Sequence, residues 1–413
     1  MRTAGPTGEY RDPTEPAAIG MTEATHGGST GARPLMIGVP HGLYVHIPFC
    51  RERCAYCDFA IVAGGAGRAE EYADAVLGEM RTVLERHGPL AIDTVYFGGG
   101  TPSLVKPSFV SRIVLAARDL FETDETLHVS LEANPEDVTA ERVAAWAEGG
   151  VRRITVGLQA LTDEGLAGIG RPGEAEDGVR AIQTARRSGI RDLGADVIFG
   201  RPRQTAGDWQ DELDRMSQLD VDHWSCYALE TTSRTPLARA IERGRTPAPD
   251  PDLQATMYEM AVSSLSKSGY RRYEISNFAA RGHESRHNLK YWQDASYVGL
   301  GQSAASYVGG ARWTNARRYS EYVRRARAGV TADRLEPYDP ARRAGEAIVF
   351  GLRLDEGVDL KCVAVRHGEH AVEAHRAALE RGVDAGLATR HGPRICLTDR
   401  GRLLADELFI QMM

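Results

Sequence analysis

From Leu43 to Leu229 the chain repeats one pattern six times, a short run rich in β-branched and aromatic residues followed by a longer amphipathic stretch. The short runs are LYVHI (43–47), DTVYF (93–97), LHVSLE (127–132), RITVG (153–157), LGADVIF (193–199) and HWSCYAL (223–229). Apolar residues at helical spacing occupy the intervals near 68–87, 106–120, 139–149, 175–189 and 207–219. Strands joined through helices lie parallel, because a parallel connection needs a long crossover, and the helices must cover the sheet. Six such units predict an α/β fold of the open, partial (β/α)6 barrel type. Cap chemistry agrees: Thr139, ahead of AERV, can accept hydrogen bonds from the exposed first-turn amides of the third helix.

In a barrel of this kind, chemistry collects on loops at the carboxyl ends of the strands. The unusual residues of this chain fall there. Cys50, Cys54 and Cys57 follow the first strand, GGGTP (98–102) the second, EANPE (132–136) ends the third, LQA (158–160) the fourth, and GRP (200–202) follows the fifth. Random placement would scatter them over both rims.

After Glu230 the pattern changes to a helix near 252–269, an aromatic strand YRRYEISNF (270–278), the segment HNLKYW (287–292) and a Gly-rich GLGQSAAS (299–306). From Pro340 come several helices, a hairpin GLATRHGPRICLT (386–398) and a closing helix, a layout resembling a small winged-helix module. We divide the chain into a disordered tail (1–40), a barrel core (41–235), an extension carrying HNLKYW (236–335) and a helical, winged-helix-like domain (336–413). Residues 340–413 hold 11 Lys or Arg against 11 Asp or Glu, without the basic excess that phosphate binding demands, so no nucleic-acid partner is expected. The net charge of -7 gives no reason for one either. No apolar run approaches the roughly 18 residues that cross a bilayer. The tail has no apolar stretch to serve as a signal peptide, and Glu9, Asp12, Glu15 and Glu23 argue against an organellar transit peptide, so neither is expected; Met21 or Met36 are alternative starts.

Six cysteines in 413 residues do not form a disulfide framework, and three of them fall within eight positions in HIPFCRERCAYCDF (46–59). A Cys-x3-Cys-x2-Cys loop can turn three thiolates toward one iron–sulfur cluster, leaving one iron open to a small ligand. The competing reading is a zinc site with His46 as fourth ligand. His46 also reads as a strand residue packed behind the loop. Cys226, Cys362 and Cys396 lie in apolar runs and read as buried, inert thiols. A reducing, cytoplasmic setting suits this cysteine usage.

Cys50, Cys54 and Cys57, with Tyr56 before the last, resemble the signature of the radical S-adenosylmethionine (SAM) superfamily. In that superfamily the open iron of a [4Fe-4S] cluster binds SAM, and reduction of the cluster cleaves SAM to a 5′-deoxyadenosyl radical. The resemblance implies that Gly99, Gly100 and Thr101 let bare backbone amides approach the methionyl end of SAM. Within its coproporphyrinogen III oxidase-like branch it implies SAM contacts for Tyr44, Tyr56, Glu132, Gln159, Arg171 and Asp196.

YVHIPFCRERCAYC resembles the oxygen-independent coproporphyrinogen III oxidases, and similarity to the branch runs from about Leu43 to the C-terminus. One departure separates them. The oxidases place a required cysteine two residues beyond the third, where this chain has Phe59 after Asp58. CDF, HNLKYW, GLRLDEGVD (351–359) and LTDRGRLLAD (397–406) are instead similar to the heme chaperone family HemW, marked by an HNxxYW motif. That resemblance implies heme as a ligand, heme-receiving client proteins, some of them at membranes, an electron donor and a homodimer. The alternative is the oxidase itself or another radical SAM enzyme acting on a tetrapyrrole. His287 is then a candidate heme ligand, against the reading of a hydrogen-bonded packing residue, and Tyr291 and Trp292 either wall a porphyrin or pin the loop to the barrel.

Overall fold

The computed structural model describes residues 40–231 and 235–413, so the segment assigned as a disordered tail lies outside the described residues apart from Pro40. Six parallel strands stand side by side in chain order: β1 (His41–Ile47), β2 (Ile92–Gly99), β3 (His128–Ala133), β4 (Val151–Gln159), β5 (Asp192–Phe199) and β6 (His223–Ala228). The helices between them are α1 (Ala69–His87), α2 (Pro107–Leu120), α3 (Ala140–Glu148), the short α4 (Asp163–Gly168), α5 (Ala175–Arg187) and α6 (Ala206–Met216). The period of two decides which residues go where. In β1, Leu43, Val45 and Ile47 are fully buried in one core with Tyr72, Val76 and Met80 of α1, which leaves Tyr44 and His46 for the opposite, concave face. Trp146 of α3, Trp209 of α6 and Trp224 of β6 are wholly buried in the same core. Thr139 accepts the Arg142 amide at 3.3 Å, as expected.

The sheet is longer than the six repeats. Beyond α7 (Pro236–Glu242) and α8 (Pro251–Lys267), β7 (Arg271–Arg272) and β8 (Asn277–Ala279) extend it antiparallel past β6. YRRYEISNF is therefore not one strand: the Glu274 carboxylate accepts the Ser276 amide at 2.9 Å and the Asn277 side-chain amide, closing a turn in its middle. HNLKYW lies on a short helix, α9 (Arg286–Trp292), whose N-cap Ser285 accepts the Asn288 amide at 3.3 Å. From the Gly-rich segment comes β9 (Tyr297–Leu300), which pairs in parallel with β1 on its free side. Antiparallel β10 (Ala305–Val308), β11 (Ala311–Asn315) and, after α10 (Tyr319–Arg327), β12 (Ala332–Glu336) follow. The order β12-β11-β10-β9-β1-β2-β3-β4-β5-β6-β8-β7 leaves the barrel open.

The C-terminal part begins with α11 (Pro340–Arg353) and contains β13 (Val358–Asp359), α12 (Leu360–His367), α13 (Glu369–Glu373), α14 (Arg376–Asp384), β14 (Ala388–His391), β15 (Arg394–Leu397), α15 (Asp399–Leu403) and α16 (Ala405–Phe409). Its three strands pair antiparallel in the order β13-β15-β14, a wing beside helices. Ala344, Ile348, Leu352, Leu379, Ile395 and Leu408 form a second core there. One expectation fails in this part: Cys362 is exposed, because it faces outward from α12, and Cys396 is only half-buried. Cys226 is buried as expected. Among the described residues no helix is long and apolar enough to cross a membrane.

Candidate functional site

The cysteine loop is shaped by the protein itself. Past β1, Phe49–Cys50 pairs in parallel with Val62–Ala63, and the Gly64 amide donates to the Cys50 carbonyl at 2.9 Å, so residues 51–61 form an arch with fixed feet. Inside it the Cys57 amide donates to the Cys54 carbonyl at 3.2 Å. Outside it, Arg51 donates to Asp137 at 2.5 Å and to Glu136 at 3.1 Å. Asp137 is 4% exposed and also accepts the Ser103 hydroxyl at 2.7 Å. The Leu237 amide of α7 donates to the Ala55 carbonyl at 2.9 Å. These ties hold the loop against the β2, β3 and β6 rims.

Cys50 is buried and its sulfur accepts the Thr101 hydroxyl at 3.4 Å, while Cys54, half-buried, faces the Arg171 guanidinium at 3.9 Å. Burial pushes the Cys50 and Cys57 thiols up, partly offset by the Thr101 hydroxyl and the Arg53 charge at Cys50 and by the Phe59 backbone amide and Arg53 at Cys57. Metal binding would have to displace those protons. Three thiolates are one short of a closed tetrahedral zinc site, which suits a cluster that leaves one iron open. His46 does not serve as a fourth ligand, since its Nε2 is bonded to the Ala60 carbonyl at 2.9 Å and its Nδ1 to Tyr44 Oη at 3.1 Å. It packs behind the loop.

Below the arch the concave face of the sheet opens into a cavity of about 980 Å3. Tyr56, Gly99, Gly100, Thr101, Glu132, Gln159, Arg171 and Asp196 all line it together with the three cysteines. Tyr44 does not: it lies beneath the wall, its ring stacked on Tyr96 at 6.3 Å. The glycines have a second, internal reason. A Cβ on Gly99, whose φ is +113°, would stand 2.5 Å from the His46 ring, and one on Gly100 would stand 2.8 Å from the Pro48 backbone. The turn after β2 is thus pressed against the turn after β1.

The cavity floor is acidic. Burial, reinforced by the nearby Asp196 charge, raises Glu132 to about 7, against hydrogen bonds from Tyr96 Oη at 2.8 Å and the Gly99 amide at 3.2 Å. Burial likewise raises Asp196 to about 6, against Ser225, Arg153 and Arg171. Arg171 donates to the Asn134 side chain at 2.9 Å and the Gly157 carbonyl at 3.1 Å, which aims it between Cys54 and the floor. Gln159 adopts the left-handed conformation, φ +66°, that turns its side chain back along the wall.

Sequence reasoning missed the braces of this rim. Arg201, in the GRP loop, forms an ion pair with Glu212 of α6 in which the side chains are 2% and 1% exposed. Arg201 also donates to the Gln159 carbonyl at 3.3 Å, and Glu212 accepts the Leu161 amide at 2.8 Å and Gln204 at 3.1 Å. GRP marked the place, but nothing local in the sequence marks Glu212 as its partner. At the other end of the barrel Asp192, Asp222 and His283 bring ligand-type atoms within 4.8 Å. Asp192 is bonded to His128 at 3.0 Å and to His283, and Asp222 to Arg186 and the Leu193 amide at 2.8 Å each, so this group is a saturated brace.

His287 stands apart from the cavity. It is 1% exposed, with Nδ1 bonded to Thr94 Oγ1 and Nε2 to Tyr291 Oη, both at 2.9 Å, and its ring stacked on Tyr96 at 5.1 Å. Trp292 reaches the other way, 6.1 Å from Phe350 and under the Arg353 guanidinium at 4.5 Å. The motif thereby pins α9 between the barrel and α11.

Residues 44–216 match the family model of the radical SAM superfamily, and residues 338–404 that of the HemN C-terminal domain. The chain is 31% identical over 373 residues to the heme chaperone HemW of Bacillus subtilis (strain 168), an alignment covering 89% of this chain and 97% of that protein. It is 35% identical over 375 residues to the heme chaperone HemW of Mycobacterium tuberculosis (strain ATCC 25618 / H37Rv), covering 90% and 94%. The Mus musculus protein named radical S-adenosyl methionine domain-containing protein 1, mitochondrial, is 34% identical over 350 residues, covering 84% and 74%. Among solved structures, coproporphyrinogen III oxidase (HemN) from Escherichia coli, described as a radical SAM enzyme, superposes with a TM-score of 0.78 at 21% identity over 90% of each chain. At that identity the likeness establishes the fold.

Proposed function

We propose that this chain, which belongs to the HemW family of the radical SAM superfamily, is a heme chaperone that carries a [4Fe-4S] cluster, binds SAM and heme, and passes heme to client proteins. The observation that carries the reading is Phe59. Two residues past the third cysteine, where the resembling oxidases need a thiol, stands a phenyl ring that lines the cavity and is 64% exposed. No acid–base or thiol chemistry is available from it, whereas an exposed ring at a cavity mouth suits the face of a flat apolar ligand.

Cys50, Cys54 and Cys57 would hold the cluster. Gly99, Gly100, Thr101, Glu132, Gln159, Arg171 and Asp196 would hold SAM, with Tyr56 beside it and Tyr44 acting through His46 and Tyr96. When bound, the cluster would supply an electron to the sulfonium. Glu132 and Asp196 match the positive charge of SAM, and Arg171 keeps a guanidinium near the thiolates. We read His287 as a packing residue of the motif, since both its nitrogens are occupied. Free, closely spaced thiols suit the cytoplasm. The reading extends to a one-electron donor, to clients that include proteins at a membrane surface, and to a second copy paired along the open β12 edge, where Leu335 is 63% exposed.

The test is a heme titration of anaerobically reconstituted protein, followed by Soret absorbance, with coproporphyrinogen III turnover measured in parallel. Heme binding without decarboxylation is expected. Decarboxylation without heme binding would replace this reading with that of an oxidase.

A further inference from the structure

The cavity continues upward from the SAM-type floor to a roof made by the C-terminal domain. Leu404 and Phe409 line it there, Phe59 of the cluster loop lines the same cavity, and Leu404 is 40% exposed. Four arginines line the cavity, and they differ in what they have left to give. Arg51 is committed to Asp137 and Glu136. Arg171 is committed to Asn134 and the Gly157 carbonyl. Arg402 donates to Asp355 at 2.8 Å and Asp399 at 3.1 Å, with its side chain 9% exposed. Arg353 donates once among the described residues, from Nη2 to Glu274 at 3.1 Å, and its side chain is 26% exposed, so its terminal nitrogens rather than the buried Nε have hydrogens left for a ligand.

Arg353 is also the one that the HNxxYW helix touches. Its guanidinium lies 4.5 Å over the Trp292 ring, and Glu274, fully buried, fixes its other side. The chain itself is anchored, since the Ile275 amide donates to the Arg353 carbonyl at 3.1 Å. A cation stacked on an indole, paired once and facing a cavity with donors to spare, is a preorganised receptor for a carboxylate. Asp406 and Glu407 share the roof, but both are exposed at its outer edge, where water screens them.

We propose that Arg353, positioned by Trp292 and Glu274, is a carboxylate-binding residue of the cavity roof and receives a propionate of the bound heme. The proposal rests on the reading that the chain binds heme. It gives the HNxxYW motif a role in porphyrin binding through Trp292 and Arg353, with no bond from the motif to iron.

The experiment compares heme with heme dimethyl ester, which keeps iron and ring and lacks the free carboxylates, by Soret titration of the reconstituted full chain. Loss of one charge-assisted hydrogen bond weakens binding roughly ten- to a hundredfold, so the wild type should prefer heme by that factor. Arg353→Met should abolish the preference by weakening heme alone, Arg353→Lys should keep part of it, and Trp292→Phe should reduce it. Equal binding of both ligands by the wild type, or a preference that survives Arg353→Met, would overturn the proposal. Binding of neither ligand by the wild type would instead remove the heme reading beneath it. Because the wild-type comparison needs no variant, the outcome does not depend on Arg353→Met folding with Glu274 left unpaired.

Discussion

Breaking the Arg201–Glu212 pair one residue at a time should be far more damaging than replacing both. The two side chains are 2% and 1% exposed, so neither charge has recourse to water. Arg201→Met leaves the Glu212 carboxylate with only the Leu161 amide and Gln204 as donors. A buried charge stripped of its partner costs about 3–5 kcal/mol, two to three and a half powers of ten in the folding constant. Arg201→Met with Glu212→Leu removes both charges and fills similar volume, and should return to within about 1–2 kcal/mol of the wild type. Urea unfolding followed by tryptophan fluorescence reports this, because Trp209 and Trp224 are fully buried nearby in the core. The double variant has a second use. It folds but lacks the Arg201 tether on the Gln159 carbonyl, which helps hold that residue at φ +66°. SAM should bind it roughly tenfold more weakly with cluster content unchanged, the scale of one lost hydrogen bond to a charged donor. A single variant within about 1 kcal/mol of wild type, or a double variant no more stable than the single, would refute the energetic reasoning; undiminished SAM affinity would refute the tether.

Three further outcomes are expected. Burial raises Glu132 to about 7 and Asp196 to about 6, so the fold favours their protonated forms; that contribution is complete below about pH 4 and fades as pH rises through about 6 to 7. A cationic sulfonium favours the ionised forms, so SAM affinity should climb between about pH 5 and about pH 8 with proton release, and Glu132→Gln should flatten the upper part; calorimetry in buffers of different ionisation enthalpy reads this, and a flat wild-type profile would contradict it. Asp137→Asn loosens the Arg51 clamp on the cysteine arch and should lower acid-labile sulfide after reconstitution several-fold while costing about 1–3 kcal/mol; full sulfide content would count against the clamp. His287→Ala should destabilise the chain by a similar amount yet leave the Soret maximum of bound heme in place, and a shifted maximum would restore His287 as a ligand.

The parallel core was legible because strands buried on both faces carry β-branched runs, and their helices carry a strong period and cap residues such as Thr139. The Cys-x3-Cys-x2-Cys loop and the rim motifs were legible because a short loop after each strand carries them. What escaped detection depends on partners distant in sequence. β9 is only four residues long and runs into the Gly-rich segment, and it is a strand because β1 offers it an open edge. YRRYEISNF reads as a strand until the Glu274 carboxylate folds its middle. Asp137 and Glu212 look like any helical carboxylate, and only the fold shows that each is buried opposite an arginine of a rim loop. The HNxxYW motif is conspicuous in the chain yet its histidine is sealed against Thr94 and Tyr291, so the family resemblance located the motif without revealing which side chain acts.

The distribution of charge along the cavity orders two ligands without any moving part. Its floor holds Glu132 and Asp196, with Tyr96 bonded to Glu132; burial raises both carboxyls and the Asp196 charge raises Glu132 further, a state that a cation relieves. Arg171 stands at the cysteine side of that floor, hydrogen-bonded to Asn134 and facing Cys54. An anionic porphyrin placed on that floor would meet like charge and be disfavoured there. At the roof Arg353, 26% exposed and ion-paired to Glu274, lines the cavity beside the exposed Asp406 and Glu407, and Leu404 and Phe59 offer apolar surface. In the proposed complex these charges would favour a cationic nucleotide at the bottom and a dianionic ring at the top. In the proposed heme complex Phe59, which lines the cavity and is 64% exposed, would give the porphyrin an apolar face where a polar side chain would have to lose its water.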